Sequence, residues 1–368
     1  MPAAPGLTGE GHLRLTMSKM LEEVRDQPAA LSATLAAGVA GIEKLRSHLQ
    51  KRRPRFILLV ARGTSDNAAQ FGRYLIEITT RIPVSLAAPS IWTLYRRPVD
   101  LRDVLVIGIS QSGESTDTNA VLEDARKQGA TTVGITNNSS SAMAGVVEFP
   151  LPIQAGAEIS VAATKTYTCQ LLALYLLAHA LDGGIELEAL RKLPDWVCSV
   201  LALEEDIEAL VERYFFMTRT VTVGRGLNYA NALEFGLKLM ETCYVVAERF
   251  SAADLMHGPI ALVERAFPVF VFAPAGVTWP SMSSVLDRLQ ELKAETLVIT
   301  DRRNGEAHDK AARRIEIPEA PGSGGPLEDL YTPIPYIVPA QLFAGHLAAL
   351  KGLNPDLPRT LHKITRTM

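Results

Sequence analysis

Val104-Leu-Val-Ile-Gly-Ile109, followed by Ser110-Gln-Ser-Gly-Glu-Ser-Thr-Asp-Thr118, is the stretch that decides the fold. Its first part is an unbroken apolar, β-branched run, the pattern of a strand buried on both faces of a parallel sheet. The second part is a small-polar loop that opens a helix. It crowds Ser110, Gln111, Ser112, Ser115, Thr116 and Thr118 where backbone N–H groups and the positive end of a helix dipole coincide. Such a place binds anions, and this many neutral donors suits phosphate. A Ser/Thr helix cap is the simpler explanation, but a cap needs one such residue.

The surrounding chain repeats this grammar. Phe56-Ile-Leu-Leu-Val60 reads as a buried strand, with the turn Ala61-Arg-Gly-Thr-Ser-Asp66 and a helix to Ile78 after it. Ile82 to Ala87 reads as a short strand and Asn119 to Gln128 as a helix. Thr132-Val-Gly-Ile-Thr136 is another strand, ending in Asn137-Asn-Ser-Ser-Ser141. Strands alternating with helices predict an α/β fold, a doubly wound parallel sheet whose ligands sit beyond the C-terminal strand ends. The polar loops at 64–65 and 110–118 both fall at such ends. Upstream, residues 1–16 read as a loose tail, Met17 opens a helix that Pro28 stops, and Ala29 to Gln50 is again helical.

The pattern then recurs. Val221-Thr-Val-Gly-Arg-Gly226 echoes Leu59-Val-Ala-Arg-Gly63, Phe270-Val-Phe-Ala-Pro274 echoes Ile107-Gly-Ile-Ser110, and Leu297-Val-Ile-Thr-Asp301 echoes Val133-Gly-Ile-Thr-Asn137. Gly63 to Gly226, Ser110 to Pro274 and Thr136 to Thr300 are separated by 163 or 164 positions, so the α/β unit is duplicated. The second copy has Leu227 and Pro274 where the first has Thr64 and Ser110, so only the first keeps the phosphate donors. Helical stretches from Thr166 to His179 and Glu186 to Tyr214 join the copies. Ala155 to Lys165, small and flexible, is placed to line a site. Leu353 to Lys363 is proline-broken and reads as extended.

Bulk properties exclude several classes. The 368 residues suit roughly two domains of about 150–180 residues. A net charge of -3 and the lack of a basic stripe argue against nucleic acid as partner. Three scattered cysteines, Cys169, Cys198 and Cys243, make neither a disulfide framework nor a zinc site and fit a reducing cytoplasm. No apolar run reaches the length of a membrane span, and no secretory signal is visible.

Chemistry has two further candidate locations. On the helix Asn231 to Tyr244, Glu234, Lys238 and Glu241 share one face, while Leu233, Phe235, Leu237, Leu239 and Met240 make the rest apolar. They are either an ion pair on a partly wet face, or a set in which Glu241 serves as a general base in a cleft. Helix geometry alone leaves the two even. His257, in Asp254-Leu-Met-His-Gly-Pro259, is held by a Gly-Pro turn, but a lone histidine is more often structural. No phosphate-binding P-loop, metal cluster or dinucleotide fingerprint is readable.

Arg62-Gly-Thr-Ser65, Ser110 to Ser115, Glu158-Ile-Ser-Val-Ala-Ala-Thr-Lys165, Ala232 to Glu241, Leu255 to Pro259 and Pro358-Arg-Thr-Leu-His-Lys363 together resemble the tandem sugar isomerase (SIS) domain family, as found in the isomerase half of glucosamine-6-phosphate synthases. The resemblance covers residues 17 to 368 in order and spacing. It implies two SIS domains, at 51–195 (phosphate-binding) and 196–350 (catalytic helix), after N-terminal helices at 17–50 and before a tail at 351–368 that closes over the site. It implies that Thr64, Ser65, Ser110, Gln111, Ser112 and Ser115 hold the phosphate of a hexose 6-phosphate. Glu241 then moves the proton between C1 and C2, and His257, reaching in from a neighbouring subunit, assists ring opening. Lys363 lies against the sugar, and Val161, Glu234 and Lys238 complete the substrate site. A homodimer with a shared site is implied, with no metal or organic cofactor, no nucleic acid and no membrane.

Ser115 stands where the family has threonine, and Ala163 where it has serine. The synthases carry a glutaminase domain opened by a cysteine nucleophile. Few residues precede the shared region here, and none is a cysteine. The expected reaction is therefore glucosamine 6-phosphate plus water giving fructose 6-phosphate plus ammonia, as in stand-alone relatives. An ammonia-dependent synthase, a galactosamine-6-phosphate deaminase, a sugar–amine deglycase and a non-catalytic sugar-phosphate sensor are the alternatives.

Overall fold

In the computed structural model, residues 18–319, 329–361 and 363 are described. The tail expected at 1–16 lies outside them. In chain order the first half contains α1 (Lys19–Arg25), α2 (Gln27–Lys51), β1 (Phe56–Val60), α3 (Thr64–Thr80), β2 (Val84–Leu86), α4 (Ser90–Thr93), β3 (Val104–Ile109), α5 (Thr116–Lys127), β4 (Thr131–Thr136), α6 (Ala142–Val146) and β5 (Phe149–Pro152). Helices α7 (Lys165–Ala180), α8 (Leu187–Arg191), α9 (Leu193–Leu201) and α10 (Glu204–Val211) lead across. The second half contains β6 (Arg219–Gly224), α11 (Tyr229–Cys243), β7 (Val246–Ser251), α12 (Ala252–Met256), β8 (Pro268–Phe272), α13 (Trp279–Glu291), β9 (Glu295–Asp301), α14 (Gly305–Lys310), β10 (Arg313–Ile317) and α15 (Pro333–Leu350).

Both sheets are parallel and have one topology, β2-β1-β3-β4-β5 and β7-β6-β8-β9-β10. The duplicated, doubly wound α/β fold read from the 163–164 residue offset is therefore present. Alternation along the strands shows how each sheet is covered. Ile57 and Leu59 of β1 belong to the large central core, whereas Leu58 and Val60 face a smaller cluster with Val121 and Leu122 of α5. Phe270 and Phe272 of β8 likewise join the central core, and Val269 and Val271 an outer one with Val285 and Leu286 of α13.

The central core is continuous between the halves. Helices α7 and α15, apolar all round, are buried along nearly their whole length. The aromatic rings of Phe235, Phe270, Phe343 and Tyr214 meet there at centroid distances of 5.0–5.8 Å, mostly edge to face. Each such side chain contributes about 1.5–3 kcal/mol through burial alone. This packing docks the second half against the first and sets α11 beside α3.

Three local readings are corrected. Pro28 does not stop a helix: α1 ends at Arg25, and Pro28 sits in the first turn of α2, where its missing N–H costs nothing. The helical run expected over Glu186 to Tyr214 is broken into α8, α9, α10 and a 3-10 turn at Glu212–Tyr214, with Pro194 in the first turn of α9. The edge strands β5, β7 and β10 had no counterpart in the sequence reading. Pro150 and Pro152 in β5 and the charges of β7 suit strands with one open side and mask the apolar pattern.

Candidate active site

In the first sheet β1 is hydrogen-bonded to β2 on one side and β3 on the other, so the chain reverses winding direction between β1 and β3. The crevice of such a sheet opens at that point. The loops after β1 and β3 both end there in helix starts. Gly63, at the N-terminal boundary of α3, adopts φ 59° and ψ -132°, open to glycine alone. Gly113, within the second loop, has φ 70°, and a β-carbon on it would lie 2.2 Å from Ser141 Oγ. The boundary residues Gly63 and Ser115 make no side-chain cap, so the first turns of α3 and α5 present backbone N–H groups to the crevice.

A cavity of about 360 Å3 occupies this place. Thr64, Ser65, Ser110, Gln111, Ser112 and Ser115 line one end of it. Their positions are held by local bonds: Gly113 N–H donates to Ser110 Oγ (3.1 Å), Asn119 Nδ2 to the Gly113 carbonyl (3.1 Å), and Gln170 Nε2 to Ser65 Oγ (3.0 Å). Neutral hydroxyls and two helix N-termini converging on one volume make an oxyanion cradle.

Another part of the lining belongs to the second half. Lys238 and Glu241 of α11 line the cavity, and Glu234 lies beneath them. The Lys238 ammonium stands 2.6 Å from Glu241 and 3.3 Å from Glu234, and also donates to Thr64 Oγ1 at 3.2 Å. Glu234 accepts in addition from Thr64 Oγ1 (3.0 Å) and Asn67 Nδ2 (2.8 Å), both on α3. The side chains of Lys238 and Glu234 are 1% and 0% exposed, which removes the partly wet ion pair from consideration. Glu241 keeps 24% exposure, toward the cavity.

Burial pushes the Glu234 carboxyl up to about 7, against the opposing pull of Lys238 and Asn67. Burial also disfavours the Lys238 ammonium, but the two carboxylates outweigh it and hold its pKa above the ordinary value. One permanently cationic group thus sits between a carboxyl that titrates near neutrality and a carboxylate that faces the cavity.

The chain's C-terminal segment forms the third wall. Lys363 Nζ donates to Glu158 Oε2 at 3.2 Å and to the Ser160 carbonyl, and Val161 lines the cavity beside it. Glu158 is fully covered and accepts from Thr164 N–H (2.9 Å), Thr166 N–H (3.1 Å) and Thr166 Oγ1 (2.6 Å). Asp356 ties the segment to α1, accepting from Ser18 Oγ, Lys19 N–H and Met20 N–H at 2.8–2.9 Å. Glu23, whose carboxyl is raised to about 6 by burial, accepts from the Ile159 and Ser160 N–H groups underneath.

Ten of the residues singled out from sequence therefore surround one cavity: Thr64, Ser65, Ser110, Gln111, Ser112, Ser115, Val161, Lys238, Glu241 and Lys363. Glu234 supports it from below. His257 does not join them. It is exposed at the end of α12 and absent from the lining within this chain. Arg62, Asn67, Glu158 and Asp356 had no assigned role. Asn67, one helical turn after Thr64, carried a readable signal; Asp356 and Glu158 act through contacts distant in sequence.

Residues 50–180 and 217–351 each match the SIS domain family. The glutamine–fructose-6-phosphate aminotransferase of Pyrococcus horikoshii is 38% identical over 352 residues, 94% of this chain and 57% of that protein. The corresponding aminotransferase of Aquifex aeolicus is 36% identical over 346 residues, again 94% and 57%. The chain thus spans little more than half the length of these relatives. Among solved structures, the C-terminal domain of glucosamine-fructose-6-phosphate aminotransferase from Francisella tularensis superposes with a TM-score of 0.84 at 28% identity, covering 93% of this chain and 99% of that one. A glucosamine-6-phosphate deaminase from Thermotoga maritima shares the fold, with a TM-score of 0.75 at 22% identity over 95% of this chain and all of that one.

Proposed function

The chain belongs to the SIS domain family, and we propose that it is a hexosamine-6-phosphate isomerase that acts as a deaminase. Glucosamine 6-phosphate and water give fructose 6-phosphate and ammonia. The observation that carries this reading is that Lys238 and Glu241 of α11, backed by the buried Glu234, line the same 360 Å3 cavity as the oxyanion cradle. The cradle binds the 6-phosphate and lays the sugar toward α11. Glu241 takes the proton from C2 of the opened aldose and returns it to C1, passing through an enolamine. Lys238 fixes the Glu241 carboxylate. The resulting C2 imine adds water and expels ammonia, which balances the reaction.

Lys363 holds the sugar end of the substrate, and the Asp356 tie keeps it there. His257 comes from a second copy of the chain, in keeping with its exposed turn outside this chain's own cavity. Two of the three cysteines are buried, with thiols pushed up to about 12 at Cys169 and about 11 at Cys243, and none lines the cavity.

The test is ammonia release from glucosamine 6-phosphate by purified protein. Galactosamine 6-phosphate, and fructose 6-phosphate with ammonium, are run alongside. Ammonia and fructose 6-phosphate in equal amounts from the first support the deaminase. Amination of fructose 6-phosphate without the reverse reaction would favour an ammonia-dependent synthase. Binding without turnover would favour a sensor.

A further inference from the structure

We infer that Arg62 reads the charge of the substrate phosphate and selects its dianion. The inference rests on the sugar-phosphate reading of the cavity. Three cationic side chains line that cavity among the described residues: Arg62, Lys238 and Lys363. Two of them are committed. Lys238 is buried between two carboxylates, and Lys363 is engaged by Glu158 and the Ser160 carbonyl. Arg62 differs. Its Nη2 donates to Asp117 Oδ2 at 2.9 Å, yet its side chain is 47% exposed and faces the cavity. A guanidinium has five N–H donors in a rigid fork, and one edge of that fork can pair with Asp117 while another meets a phosphate.

The position of Asp117 strengthens the case. It lies in the first turn of α5, at the anion-binding end of the helix, and its side chain is only 5% exposed. A carboxylate there repels a bound phosphate unless its charge is cancelled. Arg62 offsets it, joins the turn after β1 to the start of α5, and brings charge-assisted N–H donors to a cradle of hydroxyls and helix N-termini. A guanidinium adds charge-assisted, bidentate donors, which strengthen as the phosphate gains its second negative charge.

Binding of fructose 6-phosphate and of inorganic phosphate to the intact protein by titration calorimetry tests this. At pH 7.5 Arg62→Gln is expected to weaken both at least tenfold, a factor worth about 1.4 kcal/mol. Arg62→Lys should recover part of the loss. For fructose 6-phosphate the ratio of wild-type to R62Q affinity should shrink toward pH 5, as the phosphate-ester dianion takes up a proton near pH 6. If Arg62 only shields Asp117, the double variant R62Q/D117N will regain wild-type affinity; if it touches the phosphate, the double variant stays weak. R62Q affinity within twofold of wild type, recovery in the double variant, or a ratio indifferent to pH would each overturn the inference. A wild-type protein that binds fructose 6-phosphate with this Arg62 dependence but releases no ammonia would end the deaminase reading and leave the Arg62 assignment standing.

Discussion

Replacing Lys238 by Met removes the ammonium and leaves Glu234 buried without its counter-ion. Breaking a buried pair in this way costs about 3–5 kcal/mol, because the charge that remains is out of water and has lost its counter-ion. Unfolding entropy of about 2.1 cal/mol/K per residue gives about 0.8 kcal/mol/K for 368 residues unfolding together, so Tm should fall by about 4–6 °C. The sign with pH follows from Glu234. Its folded pKa, about 7, already exceeds the ordinary 4.5, so its protonated form favours the folded state and stability declines as pH rises from 4.5 through 7. Without Lys238 the downward pull on that pKa is gone, and the decline continues above pH 7. The K238M penalty should therefore be smaller at pH 5 than at pH 8. Adding Glu234→Gln removes the stranded charge, and K238M/E234Q should be more stable than K238M. Differential scanning calorimetry of the four proteins at both pH values closes the cycle. A double variant no more stable than K238M, or a penalty equal at pH 5 and pH 8, would refute the buried-charge argument.

Glu241→Gln should lower kcat by about 10²–10⁴-fold while fructose 6-phosphate binding stays within a few fold, as read by ammonia release and calorimetry. Glu234→Gln should flatten the pH profile of kcat/KM near 7. Above that pH the ionised Glu234 competes with Glu241 for the Lys238 ammonium, so the change in wild-type kcat/KM centred near pH 7 should be missing from the variant. Gly113→Ala places a β-carbon 2.2 Å from Ser141 Oγ at a φ of 70°, and should cost about 1–3 kcal/mol of stability together with phosphate affinity, measured by thermal unfolding and phosphate titration.

Much of this arrangement is local in sequence. The apolar runs of β1, β3, β4, β6, β8 and β9 are inner strands, covered on both faces, so composition alone marked them as strands. The hydroxyls of 64–65 and 110–118 sit within one turn of a strand end, where chain direction determines that helix N-termini must point. The three-residue face of Glu234, Lys238 and Glu241 follows from helical spacing. Edge strands such as β5 carried no such mark, because an edge tolerates proline and charge.

What the sequence by itself determined is the set of parts: a duplicated α/β unit, hydroxyl-rich loops at strand ends in its first copy alone, and an ionisable face on an otherwise apolar helix. Each follows from interactions between residues a few positions apart. Only the tertiary structure decided that those parts form one site. The shared core of α7, α11 and α15 presses α11 against α3, which buries Lys238 between Glu234 and Glu241 and turns an ambiguous ion pair into a tuned one. The same is true of the tail, where Asp356 reaches α1 across 338 positions to bring Lys363 beside Glu158. No local pattern encodes those distances. They arise because burying two apolar faces against each other lowers the free energy most when these polar groups meet in the seam.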